Sequence, residues 1–384
     1  MSKKLLIKNC MLFDAKDKTT TSILIEDGLI SRIGAPALDA GSDHVLDAAG
    51  SIVAPGFIDV HIQGAGGADT LDGTREALET IARTCARFGT TGFVATTVFS
   101  TAQSNEHLAV AAKYTGQNLG GANLLGIHLE GPFISPERTG MIQSDCVTEP
   151  STEVLNEILD LTAGKLTIMT LAPELGGCLP IIRRLADSGI VASFGHSAAT
   201  YEQTLTGFDA GISHITHLFN AMPSIHHRAP GPLVAIFRTE SVTTQIICDG
   251  VHVHPSVLDL VFNALGPARV VPITDGMRPL GLPDGLYSYK GIPFESKKGA
   301  CRYKDGTLFG SAVPLSEMLS RLIKFTKCPL DVAVRTVTEN PAKVLGIDDK
   351  KGSIASGKDA DLVLLAPDIT VLATIVAGNV VYTG

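Results

Sequence analysis

Apolar and polar positions follow two different rhythms along the 384 residues. Near both ends, short period-two runs are broken by turn residues: LLIKNCMLF, SILIEDGLISRIG and HVLDAAGSIVAPG at the start, and DLVLLAPDITVLATIVAGNVVYTG at the finish. Glu26-Asp27-Gly28 between Ile/Leu runs is a hairpin signal. β-rich ends around a differently textured middle predict that residues 1–53 and 348–384 pair into one small β-sandwich.

The middle, residues 54–347, alternates strand-length apolar runs with amphipathic stretches. The runs are 56–62, 92–98, 124–130, 166–173, 190–196, 212–219, 243–250 and 269–276. In TREALETIARTCARFG, the residues Leu78, Ile81, Ala82 and Cys85 fall on one helix face at i, i+3, i+4, i+7. Eight such units predict an α/β fold, a (β/α)8 barrel, with a doubly wound open sheet as the rival. An open sheet would gather polar strand ends at one switch point, whereas a barrel converges all of them, and the polar residues here end non-adjacent runs. Residues 281–309 read as extra strands inserted before the last helices.

Those polar ends are Glu130 in GIHLEGPF, His196 in ASFGHSAAT, His217 in ITHLFNAM and Asp275 in VVPITDGM. Alone, each would read as a satisfied polar residue, and Asp275 as an Asx-turn aspartate bonding its own loop. On one face of a barrel they form a set: Glu130, His196 and His217 as ligands of a divalent ion, with a position left for water. Zinc suits these donors best, with Fe, Mn, Co and Ni as alternatives. Asp275 is then the general base toward water and the general acid toward the leaving group. At the end of the first run, His61 and Gln63 share by alternation the face pointing into the barrel; both are expected toward the substrate, with a place for His61 behind the ligands as the alternative. A neutral Gln63 amide where a second imidazole would stand argues for one ion per subunit.

The remaining histidines sort differently. In an extended strand His214 and His217 point opposite ways, so only one should line the barrel unless a bulge intervenes. His44, His107 and His128 read as structural or surface residues. Arg228, in a Pro/Gly-rich loop, offers a planar fork suited to an oxyanion. The glycines of GAGGAD resemble a phosphate-cradling loop but lack a following GK[ST] and a helix start in phase, which makes that signal weak.

Composition narrows the classes further. Hydrophobic residues make up 45 % and the formal net charge is −8 without a basic cluster, which excludes nucleic acid and anionic membranes as natural partners. No run reaches the roughly 18 apolar residues of a membrane span. Asn9 and Asp14 interrupt the N-terminal apolar stretch, which argues against a signal peptide. Seven scattered cysteines without a C-x-x-C pair read as reduced thiols of a cytoplasmic protein.

Taken together, PGFIDVHIQGAGG (55–67), HLEGPFISPERTG (128–140), FGHSAAT (194–200), THLFNAM (216–222), HRAPG (227–231), CDGVHVH (248–254), ITDGM (273–277), GTLFGSA (306–312) and NPAKVLGI (340–347) resemble the N-acetylglucosamine-6-phosphate deacetylase family of the amidohydrolase superfamily. The resemblance implies a metal-binding barrel with a sandwich built from both termini. It makes Glu130, His196 and His217 the metal ligands and Asp275 the acid/base. It also implies substrate contacts from Asn220 and Ala221, a 6-phosphate held by Arg228 and His252, and a backbone-lined wall of Leu308, Phe309 and Gly310. Because part of the phosphate site in this family comes from a neighbouring subunit, it implies a homodimer. The substrate would be a phosphorylated amino sugar that loses its acetyl group in amino-sugar catabolism.

Two positions depart from the family pattern. Gln63 stands where many members have the second His of His-x-His, and Ile142 stands where members carry His or Gln, with Gln143 one residue later. Rival readings are the galactosamine epimer's 6-phosphate, a cyclic amide, and a catalytically silent barrel acting as a binding module. Cyclic-amide enzymes of the dihydroorotase and hydantoinase type use two metals bridged by a modified lysine, and no lysine ends a barrel run here. A silent barrel would have lost its ligands, and all four core residues are present.

Overall fold

Eight parallel strands form the ring that sets the site: Phe57–Ile62, Thr90–Thr97, Asn123–Glu130, Leu166–Leu171, Val191–Phe194, His214–Ile215, Thr243–Ile247 and Val270–Ile273, each paired to the next in chain order. The last closes on the first, because Asp275 N–H donates to His61 O (2.9 Å), Gln63 N–H donates to Gly276 O (2.9 Å), and Ile62 bridges Gly276 in parallel. All eight expected runs therefore supply a strand, and the open-sheet rival is excluded by this closure. The computed structural model describes residues 4–17, 19–38 and 41–384; residues 1–3, 18, 39 and 40, all in the expected N-terminal sandwich piece, lie outside it.

Helices wrap the ring because their apolar faces need cover. Arg75–Arg87 starts where the Thr74 side chain accepts from Ala77 N–H, and buries Leu78, Ile81, Ala82 and Cys85 against the barrel. Leu78 and Ile81 each contribute ~1.5–3 kcal/mol relative to exposure, and the small Ala82 less. Removing the Thr74 hydroxyl would cost about 1 kcal/mol of helix start.

The barrel interior is polar rather than aliphatic. His128 Nε2 lies 2.7 Å from Thr170 Oγ1, which is 2.7 Å from Thr216 Oγ1, itself 2.6 Å from Ser193 Oγ. His214 Nδ1 bonds Thr243 Oγ1 at 2.6 Å. These partners satisfy groups whose burial without hydrogen bonds would be costly.

The chain ends meet as the sequence predicts: Leu362–Leu365 pairs antiparallel with Ile52–Pro55, which pairs with the long strand Lys4–Leu12. Asn9, at φ 56°, bends that strand, so its first half pairs with Thr21–Glu26 and His44–Asp47. Ile7, Ile23 and Ile25 thereby pack with Leu362 and Ile375 in one core. Between the eighth barrel strand and helix Leu315–Thr326 sits an antiparallel sheet of Gly285–Tyr289, Ile292–Lys297, Ala300–Arg302 and Leu308–Ser311. Tyr289, Phe294 and Phe309 form its core together with Met277 of the barrel rim. Among the described residues no helix is long and apolar enough to cross a membrane.

Candidate active site

At the C-terminal mouth of the barrel, three side chains converge. Glu130 Oε1 lies 2.9 Å from both His196 Nε2 and His217 Nε2, and the two nitrogens are 3.0 Å apart. All three residues are buried. The His196 Nδ1–H donates to Arg138 O at 2.7 Å, which leaves a lone pair on Nε2 facing the shared point. Two imidazole nitrogens and a carboxylate oxygen this close, at least one presenting a lone pair, are a donor set that fits a divalent ion of the zinc type. Burial pushes the Glu130 carboxyl up, but the His61 charge and the bonds from His196 and His217 hold it well below the usual carboxylate range.

Backbone strain accompanies this convergence. His196 (φ 48°), His217 (φ 25°) and Asp275 (φ 46°) are all left-handed, as are Phe219 (φ 76°) and Ala221 (φ 54°). A non-glycine residue with positive φ costs energy and persists where surrounding structure imposes it, as at functional sites. Here Asp275 is pinned from two sides: its N–H donates to His61 O and its O accepts Ser311 N–H at 2.7 Å. The close run of the inserted strand past Asp275 requires Gly310 (φ 50°), where a Cβ would stand 2.8 Å from Asp275 O. Gly140 (φ 57°) likewise lets its loop pass the His196 ring.

His61 lies beneath the two carboxylates, its Nε2 3.2 Å from Asp275 Oδ1 and 3.7 Å from Glu130 Oε2. Its other nitrogen bonds Gln245 Oε1 at 2.9 Å. Burial pushes this imidazole down, yet the charges of Asp275 and Glu130 raise it to about 9. His61 therefore points into the barrel, as alternation puts it, and stands behind the cleft against the two carboxylates. Gln63, expected toward the substrate, is buried outside the cleft lining: its amide nitrogen donates toward Asp69 (3.3 and 3.5 Å) and it bonds the Tyr289 hydroxyl.

The cleft above Glu130, His196, His217 and Asp275 is a narrow cavity of about 120 Å³. Asn220, Ala221 and His252 line it, together with Leu308, Phe309 and Gly310 of the inserted sheet. Met141, which sequence reasoning did not single out, completes the wall beside Gly140. Ile142 points away into an apolar cluster with Val98, Ile134 and Cys146. Arg228 is exposed in its loop, its Nη1 2.8 Å from His227 Nε2, and within one chain it does not share the cleft with His252.

Three further positions were missed. Gln245 was visible as the polar break in TTQIICDG, and it also accepts His217 N–H at 3.4 Å. Asp249, three residues before His252, bonds that imidazole at 2.6 Å. The Arg138 carbonyl that orients His196 has no side-chain signature at all.

The expectation for His214 needs correction. The sixth strand stops at Ile215, and the left-handed turn at His217 ends the alternation, so His214 and His217 both face the interior.

Comparison with known proteins agrees with this architecture. Residues 52–381 match the model of the amidohydrolase family. The chain is 37 % identical over 390 residues to the N-acetylglucosamine-6-phosphate deacetylase of Bacillus subtilis (strain 168), covering 100 % of this chain and 98 % of that protein. It is 32 % identical to the N-acetylgalactosamine-6-phosphate deacetylase of Escherichia coli O157:H7, over 89 % of each. The solved structure of a mutant N-acetyl-D-glucosamine-6-phosphate deacetylase from Mycobacterium smegmatis, in complex with N-acetyl-D-glucosamine-6-phosphate, superposes with a TM-score of 0.88 at 32 % identity, covering 100 % of both chains. The chain belongs to the amidohydrolase family and, within it, to the group of the N-acetylglucosamine-6-phosphate deacetylases.

Proposed function

We propose that this protein hydrolyses the acetamido group of N-acetyl-D-glucosamine 6-phosphate, giving D-glucosamine 6-phosphate and acetate. The observation that carries the reading is the meeting of Glu130 Oε1, His196 Nε2 and His217 Nε2 within 3.0 Å of one another, with Asp275 in the same cleft. Those three residues would hold one divalent ion, zinc by preference. When bound, such an ion supplies Lewis-acid polarisation and makes water a nucleophile near neutral pH.

Asp275 performs the proton work. Its carboxylate accepts the proton of the attacking water and later gives it to the departing amine, because an amide anion cannot leave at neutral pH. His61, 3.2 Å from Asp275 Oδ1, orients that carboxylate from behind. The sugar lies against Leu308, Phe309, Gly310, Met141, Asn220 and Ala221. The phosphate sits at His252, remote from the reacting bond, and so fixes the acetyl group over Asp275.

Arg228, exposed and outside its own chain's cleft, is suited to complete a phosphate site across a homodimer. Seven free cysteines, six of them buried, suit a reducing, cytoplasmic setting.

Acetate release from both epimeric acetamido-sugar 6-phosphates tests the reading. Turnover of the gluco compound is expected, and no release from it would overturn the proposal. The relative from Escherichia coli favours a second reading, the galacto epimer, which a higher kcat/KM for that compound would support.

A further inference from the structure

Beside the metal-binding triad the cleft holds a second pair of buried, directly bonded groups. His252 and Asp249 have side chains 4 % and 1 % exposed, with Nδ1 2.6 Å from Oδ2. The other carboxylate oxygen of Asp249 accepts the N–H groups of Val251 and His252, both at 2.8 Å. The Asp249 carbonyl accepts Arg321 Nη1–H at 2.5 Å. Asp249 is therefore held on three sides and can offer Oδ2 only to the imidazole. Burial pushes its carboxyl up, but the bond to His252, its charge and the two backbone donors hold it below the usual range. Across the ring, His252 Nε2 is buried without a protein partner, and the residue lines the cleft.

We infer that Asp249 is a positioning residue that makes His252 a double N–H donor toward the substrate's phosphate, an assignment that rests on the function proposed above. An anionic Asp249 requires a proton on Nδ1. With Nδ1 so committed, a neutral ring would turn a lone pair toward phosphate oxygens and repel them. Only the imidazolium donates from Nε2, and Asp249 is its fixed counter-ion.

The surrounding groups leave this role open to Asp249 alone. On helix Leu315–Thr326, Arg321 is spent on the Asp249 carbonyl and on Glu317 (3.1 and 2.6 Å). Burial pushes the neighbouring Cys248 thiol up, and that of Cys301 on the inserted sheet up to about 12, so both stay neutral. His254 is exposed and its Nδ1 accepts Ser256 N–H (3.2 Å).

Two measurements test the assignment on the metal-loaded protein. The first follows imidazole nitrogen NMR signals of the wild type at neutral pH while inorganic phosphate is added, with His252→Gln identifying the signal. Both ring nitrogens should be protonated in the phosphate-bound form; an unprotonated Nε2, or no response to phosphate, overturns the proposal. The second compares Asp249→Asn with wild type on N-acetylglucosamine with and without its phosphate. Loss of the charge-assisted donor should lower kcat/KM for the phosphorylated sugar about 10–100-fold, with bound metal unchanged and a much smaller fall for the unphosphorylated sugar. An equal fall in kcat/KM for both sugars would mean that Asp249 only shapes the strand end. Should that variant fail to fold, the wild-type spectra decide. Should the wild type release no acetate from the sugar phosphate, the proposed function fails, while the response to inorganic phosphate still decides the Asp249–His252 pair.

Discussion

Two layers of buried histidines lie inside the same barrel and do different work. In the lower layer, His128 and His214 each face a threonine hydroxyl, at 2.7 and 2.6 Å. Burial, the largest influence on both, pushes them down: His128 well below the ordinary imidazole value and His214 to about 3, so both are neutral. In the upper layer, His196 and His217 face each other and Glu130 across 2.9–3.0 Å. Burial is common to both layers, so burial does not make the site. What differs is the partner: a threonine hydroxyl in the lower layer, and in the upper layer a point shared by Glu130 Oε1 and a second imidazole nitrogen.

That comparison breaks most visibly in the upper layer. Glu130→Gln or His196→Asn should lose the bound ion and reduce acetate release to background, measured by metal analysis and acetate assay on one sample. Asp275→Asn should keep the ion and lose about 10²–10⁴ in kcat; a near-normal kcat would remove Asp275 from proton transfer.

Changes in the lower layer should move stability without touching chemistry. Thr243→Val leaves His214 Nδ1 buried without its partner, which costs about 1–3 kcal/mol in urea unfolding while kcat and metal content stay unchanged. The smallest effect is a slope. Native His214 stays neutral down to about pH 3, whereas the unfolded chain takes up that proton near pH ~6.5. The unfolded state therefore binds more protons as pH falls. The contribution of neutral His214 is complete above that pH and is lost below it, at up to about 1.4 kcal/mol per pH unit. His214→Asn should flatten the acid side of the stability curve by one proton, and identical slopes would refute the neutral assignment.

The same contrast explains what was legible in the sequence. Strand existence was readable because eight apolar runs bury whole strands, and Glu130 was readable as the polar residue ending one of them. The helix face of Leu78, Ile81, Ala82 and Cys85 followed from its spacing, and the pairing of Ile52–Pro55 with Leu362–Leu365 from the shared texture of the two ends. Side-chain direction after a strand end was not readable. Alternation assumes extended backbone, and His217 at φ 25° leaves it, which brings His214 and His217 to one interior. Whether His61 meets the substrate or stands behind the site is left open by alternation and is decided by its contacts with Gln245 and Asp275. Groups that act on other side chains, such as the Arg138 carbonyl on His196 and Gln245 on His61, are set by tertiary contact. Asp249 lies within a quoted motif, yet its tie to His252 depends on the loop's shape.

Restoration of the metal-stripped protein tests the central claim most directly. Zinc would be added in fractions of an equivalent per chain while acetate release from N-acetyl-D-glucosamine 6-phosphate is followed. Activity should rise in proportion to added ion and level off at one equivalent, with Glu130→Gln showing no such rise. Full activity in the stripped protein, or the same restoration curve for Glu130→Gln, would contradict the assignment of Glu130, His196 and His217 as the centre of the site.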